Sequence, residues 1–262
     1  MKKRADILNC NFKEKNKKAQ VTLIIIIAIV LIAVIILFFV FRTKILPTPE
    51  SKISEVKDIN RVLGNCIEQR AIDAIRLVGI GGGYTEPENN FEKTEFGRVS
   101  YGLKNNRNML ISLSKLENEI SDYIKFALPF CINEENYVGL TITKQDPDVE
   151  TKINQDTVEV SANLPLSIIK DDKTVTLDKG YEIEISVRLG RILDITNQII
   201  EKQKVSGDSV PLTFLSKFET ETSFSYYDDN IILYVIFDEQ SELEEIKYSF
   251  LFLAELEESE EE

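Results

Sequence analysis

The sequence predicts an α+β protein with an N-terminal transmembrane helix, then a helical pair packed with an antiparallel sheet and one further helix. Three observations support this prediction. An uninterrupted apolar run occupies residues 21–41, apolar residues recur at helical spacing in the next third of the chain, and β-branched and aromatic residues alternate with polar ones beyond Asn136. Because helices precede strands, with one helix inserted among them, the pattern is typical of α+β proteins.

Composition restricts the possible function classes. The 262-residue chain contains no His and no Trp, which excludes histidine-based catalytic triads and the usual histidine zinc sites. Its net charge is −13, but residues 1–20 carry seven basic and two acidic side chains, which leaves −18 on the rest. A field of this sign repels phosphate backbones, so we expect no nucleic acid partner. With no catalytic motif in the chain, we expect neither an enzyme nor a cofactor.

The apolar run Val21–Phe41 is predicted to span a membrane. Its 21 residues correspond to about 31 Å of helix, close to the thickness of the hydrocarbon core of a bilayer. The basic residues that precede it outnumber Arg42 and Lys44, which follow it, and this asymmetry favours a cytoplasmic N-terminus. We therefore expect a single-pass protein of the cell membrane, with residues 1–20 as a cytoplasmic basic leader, the lipid bilayer as the partner of Val21–Phe41 and an extracellular C-terminal domain.

The residues KKAQVTLIIIIAIV at the start of this segment resemble the class III signal of archaeal type IV prepilins. The resemblance implies that Lys17 and Lys18 are the basic recognition residues, that Ala19 is the small residue before the cut, and that Gln20 becomes the new N-terminus. The chain departs from the pilin pattern at Ile24, where pilins usually carry the Glu that is used in filament assembly. The resemblance therefore predicts processing after Ala19 more strongly than it predicts polymerisation.

A spacer at residues 42–52 connects the membrane segment to the domain, and its two prolines disfavour a continuous helix. The extracytoplasmic α+β domain is expected over residues 53–254, with 53–131 mainly helical and 137–254 mainly strands. Residues 255–262 form an acidic tail that contains six Glu.

The first helix of the domain is predicted from about Ser51, because apolar residues recur at helical spacing as far as Val78. It should stop at the glycine cluster in LVGIGGGYTEPENN, since glycine readily adopts positive φ. A phosphate-binding loop is the alternative interpretation of this cluster. That loop requires a strand before it and a helix after it, whereas here a helix precedes it and a polar stretch follows.

A second helix is predicted in SLSKLENEISDYIKFALPFC, with Ser114 and Glu117 as a capping box and Pro129 at its end. The segments CIEQRAIDAIRLVGIGGGY and YIKFALPFC also resemble a group of uncharacterised membrane-anchored surface proteins of archaea. Those proteins share a Cys-bearing helix that ends in a Gly-Gly-Tyr turn and a second Cys at the end of the next helix. The resemblance implies an architecture, and it carries no activity.

The remaining chain is predicted to form strands, with a hairpin at YYDDNII and a third helix in VRLGRILDITNQIIEKQK, where Gly190 is expected to be a local weakness. The acidic run DPDVETKINQD places Asp146, Asp148 and Glu150 at alternate positions. The glycine and the final glutamate of an EF-hand are missing, so we expect a solvated loop, with a weak calcium site as the alternative.

Two of the three cysteines, Cys66 and Cys131, belong to the predicted extracytoplasmic domain, where disulfides persist. The first is predicted within a helix and the second at the end of the next helix, so an antiparallel helical pair would bring their Cα atoms to about 6 Å. A disulfide between them is therefore predicted, with two buried free thiols as the alternative.

These features favour a membrane-anchored cell-surface protein with a structural or recognition role and an envelope protein of unknown identity as partner. One alternative is a minor type IV pilin-like subunit that is cleaved after Ala19. A second alternative is an envelope enzyme that uses carboxylates or a metal.

Overall fold

The structure is a computed structural model that describes residues 54–257. The leader, the apolar run Val21–Phe41 and the spacer lie outside the described residues, as do residues 258–262 of the acidic tail. Over the described range the chain forms four α-helices, which are α1 (Ser54–Ile80), α2 (Leu113–Ala127), α3 (Leu189–Ser206) and α4 (Leu212–Leu215). Within residues 54–257 no helix combines the length and the apolar character that are needed to cross a membrane.

Twelve strands lie in the same range and form three sheets. They are β1 (Phe91–Thr94), β2 (Gly97–Lys104), β3 (Arg107–Asn108), β4 (Thr141–Lys144), β5 (Asp148–Ile153), β6 (Val158–Asn163), β7 (Leu166–Lys170), β8 (Lys173–Leu177), β9 (Tyr181–Ile185), β10 (Glu221–Asp228), β11 (Ile231–Leu243) and β12 (Ile246–Glu255). The largest sheet has the order β1-β2-β12-β11-β10, with β3 paired to β2. The two smaller sheets have the orders β4-β7-β8 and β5-β6-β9.

The predicted α+β class is confirmed, and the strand pairings are antiparallel with one exception. Strands β2 and β12 run parallel, with Tyr101 opposite Leu253. Strands β1, β2 and β3 lie between the first two helices, a region where the sequence pattern predicted no strand. The pairing of β2 with a strand about 150 residues later explains why local periodicity did not indicate it.

Helix α1 lies at the centre of the core, where it packs against α2 and β12. Its buried residues follow the helical spacing of the sequence and are Val56, Ile59, Leu63, Ile67, Ala71, Ala74, Ile75 and Val78. They belong to one cluster with buried residues of α2, α3 and all three sheets. A second, smaller cluster joins Val99 and Tyr101 of β2 to apolar residues of β11 and β12.

Helix α2 begins two residues earlier than the predicted capping box implies. Its N-cap is Ser112, whose Oγ accepts a hydrogen bond from the Lys115 N–H at 3.4 Å. The predicted partner Glu117 instead accepts a hydrogen bond from the Ile153 N–H at 3.0 Å. The capping-box prediction at Ser114 and Glu117 is therefore wrong, because Glu117 docks α2 onto the end of β5.

Two further expectations are corrected in this part of the chain. The acidic run of residues 146–156 is a loop only at its two ends, because residues 148–153 form β5, with Thr151 and Ile153 facing the core. Gly190 lies where α3 closely approaches the β5–β6 turn, since a Cβ at position 190 would lie 2.5 Å from the carbonyl oxygen of Asn154. Glycine at position 190 therefore allows the helix to approach the turn, and it is not simply a weak point.

Candidate functional site

The glycine cluster ends α1 in a defined helix stop. Gly83 N–H donates to the Val78 carbonyl at 2.7 Å, and Gly81 N–H donates to the Leu77 carbonyl at 2.8 Å. Gly82 has φ +68° and Gly83 has φ +100°. In a Schellman C-cap, the N–H that follows a residue with positive φ donates to the carbonyl five residues before it, as the Gly83 N–H does here. The predicted helix stop is therefore confirmed. Residues 81–83 are called the glycine turn below.

The same turn places the end of α1 directly on the largest sheet. The Ser100 N–H donates to the Gly81 carbonyl at 3.3 Å. A Cβ on Gly82 would lie 3.0 Å from the Leu251 carbonyl oxygen and 3.2 Å from the Ser100 nitrogen. Any larger side chain at position 82 would push the helix end away from β2 and β12. The glycines therefore allow the backbone of the helix end to contact the backbone of the sheet. The phosphate-loop interpretation does not fit this arrangement.

A polar cleft of about 590 Å³ opens beside the glycine turn, and we call it the glycine-turn cleft. Its walls come from the loop of residues 84–90, from Ser100 and Tyr101 of β2, from Met109, and from Lys115 and Glu119 of α2. The helix stop and the sheet thus position the floor, and α2 positions one wall. This volume falls within the range of small-molecule sites.

Hydrogen bonds hold the loop of the cleft against α2. Glu119 accepts from the Thr85 backbone N–H at 3.3 Å and from the Thr85 hydroxyl at 3.2 Å. Lys115 Nζ lies 4.8 Å from the centre of the Tyr84 ring and 3.5 Å from its hydroxyl oxygen. A cation over an aromatic ring is favourable even near the surface. These contacts fix the geometry of the loop where it enters the cleft.

Two residues of β2, Ser100 and Tyr101, also line the cleft. Ser100 is 3% exposed, and its hydroxyl has no hydrogen-bond partner within residues 54–257. The neighbouring Tyr101 hydroxyl donates to Glu92 at 2.9 Å. Burial, and next the hydrogen bond to Glu92, raises the pKa of Tyr101 well above its ordinary value. Tyr101 therefore stays protonated at neutral pH, and its hydroxyl proton is already donated to Glu92.

A larger cavity of about 790 Å³ lies between α3 and the β5–β6 turn, but its polar side chains already bind each other. Asn108 donates to Asn197 Oδ1 at 2.8 Å, and Gln155 donates to Asp194 Oδ2 at 3.0 Å. These bonds join β3 and the turn to the same helix. The cavity therefore offers a ligand fewer unused groups than the glycine-turn cleft does.

A buried ion pair lies between the start of α3 and β11. Arg188 is 8% exposed and Asp238 is fully buried, and Arg188 Nε donates to Asp238 Oδ2 at 2.9 Å while Nη2 donates to Oδ1. Ser241 donates to Asp238 and accepts from the Arg188 backbone N–H at 2.9 Å. Two opposing effects act on the pKa of Asp238. Burial acts to raise the value, whereas the hydrogen bonds from Arg188 and Ser241 lower it below 3.8.

The Arg188 pKa is raised, chiefly by its hydrogen bonds to Asp238. Both groups of the pair are therefore ionised at neutral pH. Their hydrogen bonds are made to each other and to neighbouring side chains, so the arrangement fixes structure and leaves no unused group for chemistry.

The structure brings the two domain cysteines to disulfide distance. Cys66 lies in the middle of α1, and Cys131 ends the 3₁₀ turn Leu128–Cys131 that follows α2. Their Cα atoms are 5.7 Å apart, within the normal range for a disulfide. Pro129 lies in this turn, and the α-helix stops at Ala127.

The other candidate residues of the sequence do not meet in a site. Lys17, Lys18, Ala19 and Gln20 of the predicted processing site lie outside the described residues. Asp146, Asp148 and Glu150 are exposed, and in residues 54–257 no three acidic or cysteine side chains are grouped as metal ligands would be.

Sequence reasoning missed the cleft, although it identified the glycine turn beside it. Glu119 is one of several acids on α2, and nothing in its local pattern indicates a bond to Thr85, which lies 34 residues earlier. Ser100 reads as an ordinary strand serine. The polar stretch after the glycines was the one available signal, because its acidic and amide residues later form the loop of the cleft.

The comparisons with known proteins do not assign this site. A scan against protein-family models, a search of curated proteins and a search of solved structures each found no match.

Proposed function

We propose that this chain is a single-pass, membrane-anchored cell-surface protein whose acidic α+β domain lies outside the cell and has a structural or recognition role. The observation that carries the proposal is the proximity of Cys66 and Cys131, with Cα atoms 5.7 Å apart. Disulfides form and persist in oxidising compartments and are rare in the cytosol. The cysteine pair therefore supports a location of the domain outside the cytoplasm.

The anchor in this proposal is Val21–Phe41. The run contains no charged residue, and basic residues crowd its N-terminal side. A segment with these properties inserts with its basic flank in the cytoplasm. The domain would then follow on the other side of the membrane, which agrees with the location that the cysteine pair favours.

The recognition role is supported by how firmly the domain is held. The cysteine pair ties α1 to the end of α2, and Arg188 and Asp238 tie α3 to β11. A surface that is already ordered loses little conformational freedom when it binds a partner, so more of the contact energy appears as affinity. The expected partner is another component of the cell envelope.

The topology can be tested with an amine-reactive reagent that does not cross membranes. Intact cells that express the full chain are labelled, and modified lysines are identified by mass spectrometry. We expect labelling of the exposed domain residues Lys93 and Lys152 in intact cells, and labelling of Lys13 and Lys15 only after lysis. Labelling of the leader in intact cells, with the domain lysines protected, would refute the proposal. The two lysine pairs control for each other because they belong to one chain.

A second candidate function, a minor pilin-like subunit, is favoured by the residues Lys17 to Gln20. N-terminal sequencing of the protein from its native membrane separates the two. A mature chain that begins at Gln20 supports processing by a prepilin peptidase, and a chain that retains residues 1–19 contradicts it.

A further inference from the structure

We propose that the glycine-turn cleft binds an uncharged, polyhydroxylated ligand of the saccharide class. This inference deepens the recognition role and rests on the proposed function for its setting, since saccharides are abundant on cell surfaces. The binding chemistry itself follows from the residues of the cleft.

The first argument is the hydrogen-bonding capacity of the cleft. Glu88, Asn89 and Asn90 are exposed on its loop, and their side chains make no hydrogen bond with other residues of the described chain. A carboxylate only accepts hydrogen bonds, whereas an amide side chain both donates and accepts. Each hydroxyl of a saccharide also donates and accepts, so it matches this mixture. A simple anion needs donors alone and a simple cation needs acceptors alone.

The second argument is the charge of the cleft. Glu86, Glu88 and Glu119 line it, and Lys115 is the basic residue among the described side chains that line it. Arg98 lies nearby but pairs with Glu86 at 3.3 Å. The excess of carboxylates repels phosphates and other anionic ligands. A neutral ligand is not repelled.

The third argument concerns cations. An organic cation would use the face of Tyr84 or Tyr101, the two tyrosines that line the cleft, together with the carboxylates. Lys115 already lies over the Tyr84 ring, with Nζ 4.8 Å from its centre, and Lys104 lies over the Tyr101 ring, with Nζ 4.2 Å from its centre. A further cation would meet a positive charge at either ring, so the arrangement disfavours an amine ligand.

The test uses the purified full chain in lipid nanodiscs and isothermal titration calorimetry. The probes are neutral trisaccharides built from glucose, mannose, galactose or N-acetylglucosamine, with trigalacturonic acid as the anionic probe and spermidine as the cationic probe. We expect at least one neutral trisaccharide to bind and the two charged probes to bind more weakly or not at all.

Asn89→Ala and Glu88→Ala should each weaken binding of that trisaccharide by about fivefold or more, which corresponds to the loss of one hydrogen bond. Asn136→Ala is the matched control, because Asn136 is also an exposed asparagine but does not line the cleft. Its binding should equal that of the unmodified chain. Thermal unfolding of each variant establishes that it is folded.

The proposal is overturned if no neutral trisaccharide binds, if trigalacturonic acid or spermidine binds more tightly, or if folded Asn89→Ala binds as well as the unmodified chain. None of these outcomes depends on where the domain lies. Conversely, lysine labelling that places the domain inside the cell would refute the proposed function and leave a measured saccharide affinity intact.

Discussion

The link between Cys66 and Cys131 is expected to stabilise the domain by about 4 kcal/mol. The two residues are 65 positions apart in the sequence, and the chain-entropy model assigns this value to a closed loop of that length. The constraint acts mainly on the unfolded chain. Replacing both cysteines by alanine, or reducing the bond, should therefore lower the free energy of unfolding by this amount.

The fold itself should survive the loss of the link. Helix α1 remains packed against the end of α2 through Leu63, Ile67 and Leu128, all fully buried in the main core. In a domain of this size, each kcal/mol corresponds to a shift in Tm of roughly 2–4 °C. The double variant should thus unfold at a temperature about 8–16 °C lower while it keeps its secondary structure.

Far-UV circular dichroism of the full chain in detergent is a suitable assay, because the chain has no tryptophan to report unfolding. Denaturation is followed with and without reductant. Cys66→Ala, Cys131→Ala and the double variant should be destabilised to a similar extent, since each removes the same link. Cys10→Ala is the control and should match the unmodified chain. Equal unfolding midpoints in oxidised and reduced samples would refute the reasoning.

Two further predictions concern the contacts of α3. Asp238→Asn should cost about 3 kcal/mol in a denaturant titration, because it removes the buried counter-charge of Arg188. The guanidinium then keeps only the largely exposed Glu219, whose Oε2 lies 3.3 Å from Nη1. The Asp238 pKa is lowered from 3.8, so the stability from the pair is present above about pH 4 and lost as the pH falls through the lowered pKa. The variant should lose less stability on acidification, and an equal loss would contradict the assignment. Gly190→Ala should destabilise by about 1–3 kcal/mol despite the better helix propensity of alanine, since its Cβ would lie 2.5 Å from the Asn154 carbonyl oxygen. Gly180→Ala, where a Cβ meets nothing within 4 Å, is the control, and equal stability of the two variants would exclude the contact.

Helices with a strong local pattern were predictable from sequence. Helix α1 is 27 residues long, and its apolar residues recur at helical spacing. The glycines that follow it favour termination of the helix. Helix α3 was predictable for the same reason, because its buried apolar residues also recur at helical spacing. The start of α2 was not predicted correctly, because Ser112 and Ser114 are both suitable N-caps and the choice depends on Glu117 bonding to β5.

The strands before α2 were harder to predict because their partners are distant in sequence. Strand β2 pairs in parallel with β12, and the local periodicity of the sequence does not indicate this pairing. One local signal was present. Asn105 and Asn106 have φ of 50° and 54°, which is typical of a tight type I′ hairpin between β2 and β3. By contrast, Glu244 and Glu245 adopt φ of 52° and 66° between β11 and β12, and no turn propensity of glutamate predicts this.

The glycine turn shows how far a correct prediction of local structure can remain from a prediction of the site. Positive φ explains Gly82 and Gly83 from the sequence, because only glycine adopts such angles freely. It does not explain Gly79, which precedes the stop and lies within the helix. A Cβ at position 79 would lie 2.5 Å from the Ser249 carbonyl oxygen and 2.9 Å from the Tyr248 hydroxyl. The helix end therefore approaches β12 before it turns, and this approach places the loop after the turn beside Ser100. The cleft follows from a contact between backbones, which carries no side-chain pattern by which a sequence could reveal it.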